Sequence, residues 1–234
     1  MAGASRFLIL ALETATPCGS VALVSGDIVL ANARLPEGRQ ASGTIIPAFD
    51  GLFRDARAAA VDVTHVAVSA GPGSFTGLRV GMAAAKGFCY GIEARIIPVP
   101  TLHALALRFP FTGGTVCPVL DAKKNEVYSA LFRWDDGECR RIQSDIAVAP
   151  ESLPDRLPGG KVFFCGDGAF SFRAFFVERL GDRAVFPPDG NGRPDASSVG
   201  ILASRLLLEG AEADVRTLVP AYLRSPEAEV KRRG

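Results

Sequence analysis

The chain has 234 residues, 48% hydrophobic and 22% charged, enough to bury a core and too apolar for a disordered chain. Its 26 basic and 25 acidic residues leave a net charge of +1, which argues against a self-sufficient nucleic-acid binder. The apolar run Phe7–Leu12 stops at Glu13, too short for a membrane span and without a signal-peptide cleavage pattern. Cysteines 18, 89, 117, 139 and 165 are widely spaced with no CxxC, so neither a disulfide scaffold nor a zinc ribbon is expected and a reducing cytosol fits best.

In chain order, Phe7–Glu13 is continuously apolar and reads as a strand buried on both faces. After a turn with Pro17 and Gly19, Ser20–Ser25 and Ile28–Leu35 read as two strands joined at Gly26-Asp27. The spacing of Ile45, Ile46, Phe49, Leu52, Phe53 and Ala56 predicts a helix over Thr44–Ala58, with Pro47 in its first turn. A strand at His65–Ala70, the Gly71-Pro72-Gly73 turn and a helix over Ser74–Tyr90 follow. A strand at Ile96–Val99 and a helix over Leu102–Phe109 complete this half.

Past Gly113-Gly114 the order begins again. Strands are predicted at Val116–Leu120, Glu126–Trp134 and Arg141–Val148, then a weak helix at Glu151–Leu157, a strand at Val162–Cys165 and a helix over Ala169–Leu180. Pro187–Asp195 reads as a loop. An amphipathic helix over Ser198–Glu209, capped by Ser197 or Ser198 and stopped by Gly210, closes the pattern. In each half an apolar strand ends in a carboxylate, Glu13 or Asp121, and a hairpin returns. Such a repeat predicts two stacked domains of like topology; the alternative is one α/β domain with two chance hairpins.

The most informative stretch is Ser69-Ala-Gly-Pro-Gly-Ser-Phe-Thr-Gly-Leu-Arg-Val-Gly-Met82. It lacks the Gly-Lys-Ser/Thr of a P-loop and the spacing of a dinucleotide fingerprint. Gly77, Gly81 and Ala85 recur every four residues on one helix face, and an interior glycine costs about 1 kcal/mol relative to alanine in an exposed helix. Periodicity admits two explanations: close packing on the protein's own sheet, or a protein–protein face with Phe75, Leu78 and Met82 as anchors.

That stretch, with Ile9-Leu-Ala-Leu-Glu-Thr-Ala-Thr16 before it and Pro220-Ala-Tyr-Leu-Arg224 after it, resembles the TsaB (YeaZ) family over nearly the whole chain. The resemblance implies the duplicated actin-like fold of sugar kinases, Hsp70 and actin, α/β, with two stacked domains built on central mixed sheets. It puts the first domain at 1–112, with 211–234 as a candidate completion, and the second at 113–210. It implies a non-catalytic subunit that pairs with TsaD through a helical bundle for threonylcarbamoyl transfer to the tRNA adenosine beside the anticodon. TsaE and a nucleotide, ATP or ADP, join near that junction, and TsaC supplies the donor separately. The expected interface is Phe75, Gly77, Leu78, Arg79, Gly81, Met82 and Ala85, with Arg79 reaching acidic groups or a junction-bound nucleotide. A homodimer through the same helix is expected when TsaD is absent, with tRNA met only through the complex, a cytoplasmic location and no membrane contact.

The same resemblance guides the search for chemistry of the chain's own. TsaD carries two metal-binding histidines four residues apart; aligned here, those positions are Thr101 and Leu105, His103 matches neither, and no metal site is expected. Glu13 stands where the family usually has Asp. Cys18 lacks a histidine partner for a nucleophile's role. Gly166 and Gly168 occupy the place where this fold often meets adenosine, and also suit a plain helix-start turn. The remaining alternative is an ATP-dependent kinase or phosphatase of this fold acting through Glu13 or Asp121.

Overall fold

The computed structural model describes residues 7–36, 41–110, 113–188 and 192–223, the side chains of 41 and 42 excepted. It resolves into two compact units, one formed by residues 1–101 with 194–221 and the other by 102–193 with 222–234.

The first unit is built on a mixed sheet of order β3-β2-β1-β4-β5. Its strands are β1 (Ile9–Glu13), β2 (Ser20–Ser25), β3 (Ile28–Arg34), β4 (His65–Gly71) and β5 (Arg95–Pro100). β1 to β3 form an antiparallel meander, whereas β4 lies parallel to both β1 and β5. Every residue of β1 and β4 is buried, as the unbroken apolar runs require of strands covered on both faces.

Helices α1 (Ala41–Ala56) and α2 (Phe75–Ile92) cover one face. Their side chains Ile45, Phe49, Leu52, Met82, Ala85 and Cys89 close over Leu10, Leu12, Val21, Leu23, Val66 and Val68. Phe88 joins the two helices, edge-on to Phe49 at 5.3 Å and stacked on Phe53 at 6.0 Å. α1 starts three residues earlier than its apolar spacing indicates, so Pro47 falls inside the helix, on its solvent side.

Helix α6 (Ala196–Leu208) covers the opposite face, with Gly200 pressed on Val24 and Ala11. The expected boundary at 113–210 is therefore corrected. α6 follows the second sheet in sequence but packs on the first, held also by the Ala196 amide donating to Ser20 Oγ at 2.8 Å. Its cap is Asp195 rather than a serine, the carboxylate accepting from the Ser197 amide at 2.9 Å. Residues 211–221 return to the first unit as a strap. Ala213 N donates to Ile96 O at 3.1 Å, and Ala221 N donates to Ala70 O at 2.7 Å.

The second unit repeats the plan with β6 (Thr115–Lys123), β7 (Glu126–Asp135), β8 (Glu138–Val148), β9 (Val162–Cys165) and β10 (Ala184–Val185), in the order β10-β9-β6-β7-β8. Counted from its own first strand, this order and the parallel or antiparallel sense of each pair match the first sheet. The duplicated actin-like α/β fold is thereby established. Helix α3 spans Thr101–Leu107, and α4 (Asp167–Ser171) and α5 (Arg173–Leu180) replace one expected helix. They part at Phe172 (φ −106°, ψ 17°), and both Phe172 and Phe176 reach the core around Phe164. The expected helix at Glu151–Leu157 is two 3-10 turns, each opened by a proline, Pro150 and Pro154.

Candidate partner interface

Helix α2 starts where β4 ends. Ser74 caps it, its hydroxyl accepting from the Gly77 amide at 3.3 Å. Leu78 and Ala85 are fully buried, and Gly81 and Met82 are buried beside them. A methyl group added at Gly77 would overlap the carbonyl oxygen of Thr14, and one at Gly81 would overlap the Thr14 hydroxyl. The Thr14 hydroxyl also donates to the Gly77 carbonyl at 2.9 Å, and Ser74 N donates to the Ala15 carbonyl at 2.7 Å.

These contacts correct the expected interface. Gly77, Leu78, Gly81, Met82 and Ala85 receive the protein's own turn 14–16 and its own sheet, so that face has no room for a foreign backbone. Phe75 and Arg79 lie outside this packed seam, the Arg79 guanidinium 3.8 Å from the centre of the half-buried Phe75 ring.

The opposite face of α2 carries Thr76, Arg79, Ala83, Gly87, Tyr90 and Gly91, all exposed, with Tyr90 61% accessible. Around Gly87 and Gly91 an added Cβ meets nothing within 4 Å. Beside α2, α1 exposes Ile46 at 53%. Ala83, Gly87 and Gly91 form a second series at four-residue spacing, two residues out of step with the first and so on the opposite side of the helix. Both series are in the sequence, and periodicity could not say which one faced inward because that depends on where residues 14–16 lie.

At the second candidate site, Gly166 adopts φ +102° and lies against the Val119 carbonyl, while Gly168 lies against the Leu120–Asp121 backbone. Their amides are already used: Gly166 N donates to Gly192 O at 2.6 Å, and Gly168 N to Asp167 Oδ1 at 2.9 Å. Burial raises the Asp167 carboxyl, whose Oδ1 also accepts from the Asp121 amide at 3.2 Å. At Asp121 burial acts in the same direction, but Lys123 Nζ at 2.6 Å and its amide at 2.7 Å hold the carboxyl below its usual value. Two bonded amides beside two carboxyls do not fit a phosphate cradle, so both glycines are explained by their close approach to β6.

The other residues weighed for chemistry are engaged structurally. Glu13 is fully buried and bonded to Ser69 Oγ and to the Ala15 amide. His103 stacks on Phe132 at 5.0 Å, with Nε2 2.8 Å from the Cys139 carbonyl. Burial lowers His65, whose Nε2 lies 3.5 Å from Glu212 of the strap. Thr101 and Leu105 are buried and Cys18 is half-buried in its turn. Among the described residues no cluster of three His, Cys, Asp or Glu is placed to hold a metal, and no helix is long and apolar enough to cross a membrane.

Comparison with known proteins agrees with this architecture. Residues 35–232 match the family described as TsaD, tRNA N6-adenosine threonylcarbamoyltransferase, which with the two like sheets defines an actin-fold protein of the TsaD-like class. The tRNA threonylcarbamoyladenosine biosynthesis protein TsaB of Bacillus subtilis is 29% identical over 95% of this chain and 96% of its own. The protein of that name from Escherichia coli is 30% identical over 93% of this chain and 94% of its own. YeaZ from Pseudomonas aeruginosa superposes with a TM-score of 0.79 at 27% identity, covering 93% of this chain and all of that one. Within its class, the chain belongs to the TsaB family.

Proposed function

We propose that the chain is a non-catalytic scaffold in the formation of tRNA threonylcarbamoyladenosine, binding TsaD through the outer face of α2. The observation that carries this reading is the contrast between the helix's two faces. Gly77 and Gly81 have an internal reason to be glycine, whereas Gly87 and Gly91 stand open to solvent at about 1 kcal/mol each relative to alanine. A foreign helix laid along Ala83, Gly87 and Gly91, flanked by Arg79, Tyr90 and Ile46, gives that cost a function: close backbone approach between aromatic and aliphatic anchors.

Catalysis belongs to the partner in this reading. Glu13, the candidate base of a kinase-like site, spends its oxygens on Ser69 and on the turn that follows it. ATP or ADP and TsaE join at the junction with TsaD, tRNA is met through the complex, and two copies pair through the same face when TsaD is absent. Five free cysteines suit the reducing cytoplasm where this complex would act.

The test is reconstitution. Purified TsaD from the same organism should form a stable complex with the chain and should modify tRNA, with TsaC and TsaE supplied, only when the chain is present. The chain alone should release no phosphate from Mg-ATP. Substantial ATP turnover abolished by Glu13→Gln or Asp121→Asn would replace the scaffold with a kinase or phosphatase.

A further inference from the structure

The strap of residues 211–221 has no task in the scaffold role, yet it lies directly beside the face that role uses. Ala213 bridges Ile96 near the start of β5, and the Ala221 amide donates to Ala70 near the end of β4. The strap therefore runs back along α2, from the last turn of the helix to its first. Since α1 packs over β2 and β3 and α2 over β4 and β5, α2 lies between α1 and the strap. Val215 and Leu218 join the core cluster that also takes Val80 and Ala84 of α2. Asp214, Arg216, Thr217 and Val219 stay exposed, Val219 at 70%.

Arg216 sits on a turn that holds it in one pose. The Asp214 carboxylate accepts from the Arg216 amide at 2.8 Å, and Leu218 N closes the turn on the Asp214 carbonyl at 2.9 Å. Asp214 also accepts from Arg216 Nε at 3.3 Å and Nη2 at 3.0 Å. Lys86 Nζ donates to the Arg216 carbonyl at 3.4 Å, which ties the turn to α2. The Arg216 side chain is 78% exposed, and the exposed Tyr90 of α2 is near enough to act on its charge.

With its Nε edge held by Asp214, the guanidinium keeps Nη1 and the second Nη2 hydrogen for another carboxylate, a paired geometry that an ammonium cannot supply. Over Phe75–Ile92 and Ala213–Val219 the charged residues are Arg79, Lys86 and Arg216 against a single acid, Asp214. That surplus suits an acidic visitor. We propose that the strap is the second wall of the TsaD-binding face, with Val219 as an apolar flank and Arg216 gripping a carboxylate on a partner helix laid along Ala83, Gly87 and Gly91. Lys86, which already acts on Asp214, offsets the charge of that second carboxylate. The grip depends on the proposed binding of TsaD at the outer face of α2, and adds to it the charge the partner's helix must carry.

Affinity and rate constants of the full chain for TsaD test the grip. Exposed ion pairs contribute little to stability, so the Arg216 variants should keep the parent's melting temperature. Arg216→Lys retains the charge without the fork and should bind about tenfold more weakly; Arg216→Glu should lose about a hundredfold. The loss should appear as faster dissociation, because charge steering alone would slow association only. Gly87→Arg, measured alongside, separates the two possible failures. If Gly87→Arg binds weakly while Arg216→Glu binds like the parent, or differs only in association, the strap contact is overturned and the outer face stands. Arg216→Lys equal to the parent would overturn the paired grip. Gly87→Arg as tight as the parent would remove the outer face and the grip with it.

Discussion

Thr14 decides which side of α2 is inside. Its carbonyl and hydroxyl occupy the space that side chains at 77 and 81 would need, so glycine there is a packing requirement, whereas at 87 it is not. Opposite stability effects follow for the same chemical change. Gly81→Ala should destabilise by about 1–3 kcal/mol through overlap with Thr14, while Gly87→Ala should stabilise by about 1 kcal/mol through helix propensity. Thermal unfolding of the two variants reads both signs, and a Gly81→Ala protein as stable as the parent would refute the seam. Two buried titrating groups also oppose each other. Glu13 is raised, so the stability it confers is greatest in acid and lost by about pH 7. His65 is lowered by burial, with Glu212 opposing that shift and Arg95 adding to it. The unfolded chain binds its proton more readily, so His65 costs stability as pH falls through 6.5 and below. Urea unfolding at pH 5 and 7.5 should show His65→Gln gaining on the parent at the lower pH, and an unchanged difference would contradict the sign.

At the scale of elements, most of the chain was legible because its signals are local. Continuous apolar runs marked β1, β4 and β6, and Gly-Asp and Gly-Pro-Gly marked the turns. β10 is two residues long and has no pattern of its own; it exists because Ala184 and Val185 find β9 as a parallel neighbour. The break at Phe172 carries no glycine or proline and follows from the demand of the Phe164 core for two rings. The expected interface was legible only in part: Arg79 is exposed and Phe75 half-buried, while Gly77 and Gly81 turn inward, since a four-residue spacing defines a face without saying which way it points. The destination of α6 was equally hidden, because its amphipathic pattern fits either sheet. A chain truncated after residue 193 should lose the cover of Ala11 and Val24 and aggregate or unfold, whereas independent folding of residues 1–112 as a soluble, cooperative domain would contradict the packing of α6 on β1 and β2.

For the whole molecule, the duplication was visible as a rhyme between Glu13 and Asp121, and the two sheets carry it out with the same strand order. Their environments have diverged: one carboxyl is sealed in a turn without a cation, the other is paired with Lys123. Both carboxyls are engaged by the protein's own groups, and the proposed scaffold role places function on the outer face of α2 instead. That claim is tested most directly by the affinity of the purified chain for TsaD when Gly87 is replaced by Arg. A side chain there meets nothing of the protein's own, so the fold and melting temperature should be kept. Affinity should fall at least about a hundredfold as a central interface position is blocked. A folded Gly87→Arg chain that binds TsaD as tightly as the parent would contradict the account.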